Sequence, residues 1–330
     1  MRMPKVFALL LAFALMLGLL GCEPFEVDPY GEFIFVANGI GNTLDVVRVD
    51  PETGAVLGGL GTGQSLSYTP QWVAADPSGR FIYVVSREEG ETPGKVSVYA
   101  LDRANGTLTQ QTDTITWPLG TSFESAVVDP SGRFLYLADS NWGIYQFAIS
   151  STDGTLSIVN GGMPISAGTS RRLVIHPSGK LLYSVDFATG QLLGFAISVW
   201  DGSLSPLPGY PVTISETVPP SALAMDRTGK LLFVALDGSP EQGANLLVYR
   251  VDESTGSVSP ASPASTRVQT RMIHVDHSGS YLYATVENGV EAFRIDTAAG
   301  TLTPVTGSPF AARGTTEQVI TNGIVRKLVP

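Results

Sequence analysis

The stretch Asp129-Pro130-Ser131-Gly132-Arg133-Phe134-Leu135-Tyr136-Leu137-Ala138-Asp139 joins a tight turn to an apolar strand. Asp before Pro accepts backbone hydrogen bonds, Pro fixes φ, and Gly supplies the positive φ that closes a hairpin. The turn recurs as Asp28-Pro29-Tyr30-Gly31, Asp76-Pro77-Ser78-Gly79, His176-Pro177-Ser178-Gly179, Asp226-Arg227-Thr228-Gly229 and Asp276-His277-Ser278-Gly279, with successive glycines 48, 53, 47, 50 and 50 residues apart. A second marker follows each turn: Gly54-Ala55-Val56, Gly106-Thr107-Leu108, Gly154-Thr155-Leu156, Gly202-Ser203-Leu204, Gly256-Ser257-Val258 and Gly300-Thr301-Leu302. Two independent markers at one period identify a repeat.

Each unit reads as four strands. In the third they are Ser125 to Val128, Arg133 to Ala138, Ile144 to Ile149 and Thr155 to Val159, and no stretch has helical periodicity. First strands such as Leu173-Val174-Ile175 are apolar on both faces, as a strand sandwiched between sheets requires. The expectation is an all-β β-propeller of four-stranded antiparallel blades, six favoured and seven the alternative. A β-helix would repeat at shorter, more regular intervals. Glu32 to Ala37 reads as a second strand, so a first strand at Glu317 to Ile320 would complete the N-terminal blade; Ile324 to Val329 is a candidate for a further strand.

Composition narrows the function classes. In 330 residues, 43% are hydrophobic and 15% charged, which excludes disorder. The 36 glycines and 22 prolines lack a triplet period, and a single cysteine excludes both an intramolecular disulfide and a cysteine-rich metal centre. Arg2 and Lys5 precede an apolar run, Val6 to Leu20, too short to span a membrane comfortably. Leu19-Leu20-Gly21-Cys22 resembles the lipobox of bacterial lipoproteins. The resemblance implies a signal peptide over 1–21 and acylation of Cys22, which leaves the repeats as one propeller domain over 22–330; an ordinary signal peptide with an incidental cysteine is the alternative. The expected location is the cell envelope, with the lipid in the outer membrane and the domain facing periplasm or surface, because Glu23 is not the Asp associated with inner-membrane retention. Loss of Arg2 and Lys5 takes the formal charge from −10 to −12, which disfavours nucleic acid and anionic lipid. A monomer without cofactor is expected.

Asp129 to Asp139, and Val248-Tyr249-Arg250-Val251-Asp252 leading to Ser254-Thr255-Gly256, resemble the lactonase-type β-propeller family, which includes bacterial 6-phosphogluconolactonase and the carboxymuconate lactonising enzymes. Asp28 to Asn38 is similar to the related Tyr-Val-Thr-Asn repeats. The resemblance implies seven blades and lactone chemistry, yet its motifs are those of turns and strands. Lactonase members carry a Pro-His-x-His segment before one turn; the matching stretches here, Phe123-Glu124-Ser125-Ala126 and Ser170-Arg171-Arg172-Leu173, contain no histidine.

Propeller geometry puts the start of each first strand at the mouth of a central channel. Five residues before the turn Asp or His stand Gln71, Glu124, Arg171, Ser221 and Arg271, with Glu317 near the matching place in the tail and Trp72 and Arg172 next along. Arginine forks suit carboxylate or phosphate, so the expected ligand is small and anionic or polar. Ion pairs closing the channel are the alternative. Trp72, Trp117 and Trp142 fall near this face and either stack a flat ligand or fill gaps between blades. The variable connections Ser86 to Lys95, Thr109 to Phe123, Ser205 to Pro220 and Leu236 to Asn245 lie on the same side, where binding is usually built. The turn aspartates read as structural. His176, His274 and His277 are the only histidines and make no plausible metal trio, no nucleophile elbow occurs, and no haem attachment motif is present.

The first functional reading is an envelope lipoprotein that binds a protein, glycan or small anionic ligand through its variable face. The alternative is an extracytoplasmic lactonase-like hydrolase with Glu124 as general base and Arg171 or Arg271 holding the carboxylate or oxyanion.

Overall fold

The computed structural model describes residues 32–38, 41–49, 56–59, 63–88, 91–112, 115–116, 122–165, 168–238, 245–262, 270, 272–276, 278–286, 289–311 and 320–321. The expected lipidation site Cys22, and with it Trp117, Arg271, His277, Glu317 and the strand sought at Ile324 to Val329, lie outside these residues. Among the described residues six antiparallel sheets form, each a meander. In the third blade the strands are Phe123–Val128, Phe134–Asp139, Gly143–Ile149 and Leu156–Ile158. The first strands, Thr69–Ala75, Phe123–Val128, Ser170–Ile175, Pro220–Met225 and Met272–Val275, pack each against the next and so occupy the inner position. In the first blade that position is taken by Ile320–Thr321, which pairs antiparallel with Glu32–Asn38 through Val36↔Thr321 and Ala37↔Ile320. A strand from each terminal region thus shares one sheet; of the expected Glu317 to Ile320, only Ile320 lies in the described strand.

The turns obey the chemistry of their residues. Asp129 Oδ1 accepts from the backbone N–H groups of Arg133 (2.8 Å) and Phe134 (2.7 Å), and Oδ2 from Ser131 N–H (3.0 Å) and the Ser131 hydroxyl. Asp76 makes the same set, and Asp226 and Asp276 make most of it. His176 stands in for Asp with Nδ1, which accepts from Ser178 N–H at 3.1 Å. Gly132 has φ +71, and its counterparts from Gly79 to Gly279 lie between +68 and +74, a region open to glycine at little cost.

The core lies between blades rather than at one centre. Five apolar clusters fill the five successive seams; the seam between the third and fourth blades holds Phe134, Tyr136, Leu173, Leu182 and Phe195. A hydrogen bond recurs across three of these seams. Tyr83, Tyr136 and Tyr183 in the second strand of one blade donate to the carbonyls of Gly154, Gly202 and Gly256 in the outer hairpin of the next, at 3.2, 2.9 and 2.9 Å. Burial pushes these hydroxyls up, to about 12 for Tyr183, so each remains a donor across the working pH range. Phe35 and Phe233 hold the equivalent place in the first and fifth blades and have no hydroxyl to give. Gly202 meets two demands at once: φ is +74, and a Cβ there would overlap the Phe134 ring.

Tyr136→Phe is expected to lower unfolding free energy by about 1 kcal/mol, the loss of one buried bond that leaves a carbonyl unpaired. Gly202→Ala is expected to cost roughly 1–3 kcal/mol from backbone strain and overpacking. Urea midpoints of both variants check this, and an unmoved midpoint for Tyr136→Phe would remove the seam bond from the stability argument.

Candidate active site

The innermost strands are not regular. In the third blade Phe123 pairs with Asp139 and Ser125 with Ala138, so Glu124 is an extra residue in a β-bulge. The same shift falls between Pro70 and Trp72, between Ser170 and Arg172, and between Pro220 and Ala222. The unpaired residues are therefore Gln71, Glu124, Arg171 and Ser221, the set that counting back from the turns marks at the channel mouth. A bulge frees a residue from the ladder and re-aims its side chain, which is why bulges gather beside binding sites.

Among the described residues, blade 4 supplies the arginines at the bulges. The Arg171 Cζ lies 4.0 Å from the centre of the Phe187 ring, and the Arg172 Cζ lies 5.1 Å over Trp72 of blade 2. Stacked guanidiniums are held in place and still offer their edge donors. Arg172 Nη1 donates to the carbonyls of Glu124 and Arg171, both at 3.1 Å, fastening blade 4 to blade 3. The Nε groups of Arg171 and Arg172 are buried without a hydrogen-bond partner among the described residues. Burial lowers the Arg172 pKa from its ordinary value, Glu124 pulls it back up, and Arg171 pushes it down. An anion brought to this place would offset the desolvation that Arg172 bears.

A cavity of about 210 Å³ opens between blades 4 and 5, lined by Arg171, Arg172, Phe187, Ser221 and Asp237. The Ser221 hydroxyl donates to the Thr270 carbonyl at 2.9 Å. Glu124 is half-buried on the neighbouring blade and is not among the lining residues. Its carboxylate makes no hydrogen bond or ion pair among the described residues, and neither do Arg171 and Arg172 form an ion pair there. Trp72 is 8% exposed, donates its indole N–H to the Ala126 carbonyl at 2.8 Å and carries Arg172 on its face, so it braces the site from beneath. Trp142, 55% exposed, stands open on a second-to-third-strand turn. No group of three metal-ligating side chains occurs among the described residues.

Counting from the turns did not reveal Phe187 or Asp237, nor the two carboxyls beside the bulges, Asp139 and Asp186. All four sit where the second strand ends. Asp139 and Asp186 share one offset, ten residues after the turn residue, which is the signal that could have found them.

Comparison with known proteins bears on this arrangement. The family described as Lactonase, 7-bladed beta-propeller matches residues 57–143 and 125–316. The 6-phosphogluconolactonase of Pectobacterium carotovorum is 26% identical over 205 residues, covering 59% of this chain and 59% of the relative. That of Yersinia pestis is 23% identical over 299 residues, 87% of this chain and 84% of the relative. The solved structure of the Pseudomonas aeruginosa periplasmic gluconolactonase superposes with a TM-score of 0.56 at 17% identity, covering 88% of this chain and 97% of the other, a likeness of fold. Six sheets stand among the described residues against the seven blades of the family's description. The extent of the match, from the first blade through the sixth, decides the matter: the chain belongs to the lactonase family of β-propellers.

Proposed function

We propose that this protein is an exported, lipid-anchored hydrolase that opens a small lactone bearing an anionic or polar group at the mouth formed by the bulged residues. One observation carries the reading: in a chain of the lactonase family, Glu124 and Arg171 are lifted out of the ladder with no ion-pair partner among the described residues. The family favours the hydrolase over the binding module that the sequence put first.

Glu124 takes a proton from a water whose oxygen attacks the lactone carbonyl carbon. The carbonyl oxygen gains negative charge, while the Arg171 guanidinium holds the carboxylate or other anionic group of the substrate; Arg271 is the second candidate for this role. The ring C–O bond then breaks, and the proton held by Glu124 passes to the departing alkoxide, giving the open-chain hydroxy acid. Arg172 orients the Glu124 backbone. Glu317, outside the described residues, remains a candidate ligand-binding residue at the mouth. A sugar-phosphate lactone fits poorly with export, because central carbon metabolism is cytoplasmic; the periplasmic gluconolactonase of Pseudomonas aeruginosa, similar in fold, supports a non-phosphorylated lactone. Export itself rests on residues 1–21 and Cys22.

With gluconolactone and a panel of carboxylated lactones, Glu124→Gln is expected to lower kcat on the order of 10²- to 10⁴-fold. Arg171→Ala is expected to raise KM roughly 10- to 100-fold, the loss of charge-assisted bonds. Unchanged turnover by the double variant overturns this reading, and ligand-induced thermal stabilisation without any turnover would favour a binding module. Palmitate labelling in a bacterial host tests the anchor: Cys22→Ser should lose the label and leave the membrane fraction.

A further inference from the structure

The four bulges are not held alike. In blades 3, 4 and 5, the first residue after the second strand donates its N–H to the carbonyl of the residue two before the bulge: Ser140 to Ser122 at 3.0 Å, Phe187 to Thr169 at 3.3 Å and Asp237 to Pro219 at 2.8 Å. Blades 3 and 4 add a buried carboxyl. Asp139 Oδ1 accepts from Asn141 and Trp142 N–H at 2.7 and 2.9 Å, while Oδ2 accepts from Ser122 N–H at 2.7 Å. Asp186 Oδ1 accepts from Ala188 N–H at 2.9 Å and from the Thr169 hydroxyl, whose oxygen in turn accepts from Ala188 N–H at 2.9 Å. Ser122 and Thr169 each stand two residues before a bulged residue, Glu124 and Arg171. Gly168 approaches Asp186 so closely that a Cβ would overlap its Oδ2.

At the same offset from the turn, the other blades carry Asn38, Ser86, Leu236 and Val286. Their bulged residues, where described, are the neutral Gln71 and Ser221. Capping the second-to-third turn does not require burial, since Asp252 and Asp102 cap hairpins of the opposite connection from exposed positions. Asp139 is fully buried, and that burial holds its carboxyl above the usual range against three backbone bonds. A buried carboxylate is costly unless its bonds do something a neutral residue cannot.

We propose that Asp139 and Asp186 are positioning residues, each clamping the segment that enters a bulge so that Glu124 in one blade and Arg171 in the next are presented to the substrate. The kinetic form of this inference rests on the lactonase reading; the geometric form does not. The test uses Asp139→Asn, Asp186→Asn and Thr169→Val, the last leaving every charge in place. If Glu124 is the base and Arg171 the binder, Asp139→Asn lowers kcat on the order of tenfold or more with KM unchanged, because small misplacements are costly in catalysis. Asp186→Asn and Thr169→Val raise KM by a similar factor with kcat unchanged. A purely structural role moves melting temperature alone, or both parameters together in both blades, and either result overturns the proposal. If the wild-type protein opens no lactone, the functional reading fails separately. Crystal structures of the variants then decide: loss of the extra residue from the register at Glu124 or Arg171 supports the clamp, and retention of both bulges overturns it.

Discussion

Blades 2 to 6 each hang on the polar side chain at the foot of the inner strand. Asp76, Asp129, Asp226 and Asp276 each gather backbone N–H groups from the turn and from the start of the second strand, and such charge-assisted bonds are stronger than neutral ones. The turn sets which residue of the inner strand faces which residue of the second. Register in turn decides where the apolar faces fall, so seams between blades can fill with Phe, Tyr and Leu. It also places the bulge five residues upstream. In blade 4, His176 keeps the backbone bonds of the turn, with Gly179 N–H donating to the His176 carbonyl at 2.8 Å, while its ring serves only Ser178. Position along the strand, not charge at the turn, is what the site inherits.

The charged groups at the bulges therefore come from strands, while Asp237, just past a second strand, is supplied by a variable connection. Variable loops on the same side invited a search there, yet Glu124, Arg171 and Arg172 are carried by ladders whose far ends are pinned by turns. Groups held this way lose little freedom on meeting a ligand. Arg172 illustrates the layering: its ring neighbour Trp72 belongs to blade 2, its acceptor Glu124 to blade 3 and its own backbone to blade 4. Three blades meet in one side chain, so their relative placement is read directly by the site.

Much of this was written in local chemistry and some was not. The Asp-Pro-Ser-Gly turns, the four-strand units and the pairing of the chain ends follow from short motifs whose physics acts over a few residues. Counting from those turns reached Gln71, Glu124, Arg171 and Ser221, but no local pattern reports a register shift, which depends on what the second strand offers opposite. Asp139 and Asp186 went unmarked because their second partners, Ser122 and Thr169, are 17 residues away in sequence. Trp72 allowed two readings, ligand platform or filler, and only the location of Arg172 over its ring separates them. The cavity between blades 4 and 5 needs Phe187 and Asp237, which belong to different repeats.

The tyrosine bonds across the seams are unevenly distributed, and that unevenness gives the fold an order of disassembly. Blades 2 to 5 are joined by Tyr83, Tyr136 and Tyr183, whereas Phe35 and Phe233 give the flanking seams no such bond; between blades 5 and 6 the Ser221 hydroxyl bonds the Thr270 carbonyl and Arg250 the Ala298 carbonyl, both at 2.9 Å. Sub-global opening follows the least secured boundaries. With no buried tyrosine bond among the described residues at their seams, the terminal blades are expected to exchange amides ahead of blades 3 and 4. The residues that would meet a substrate are thus housed in the last part of the molecule to come undone.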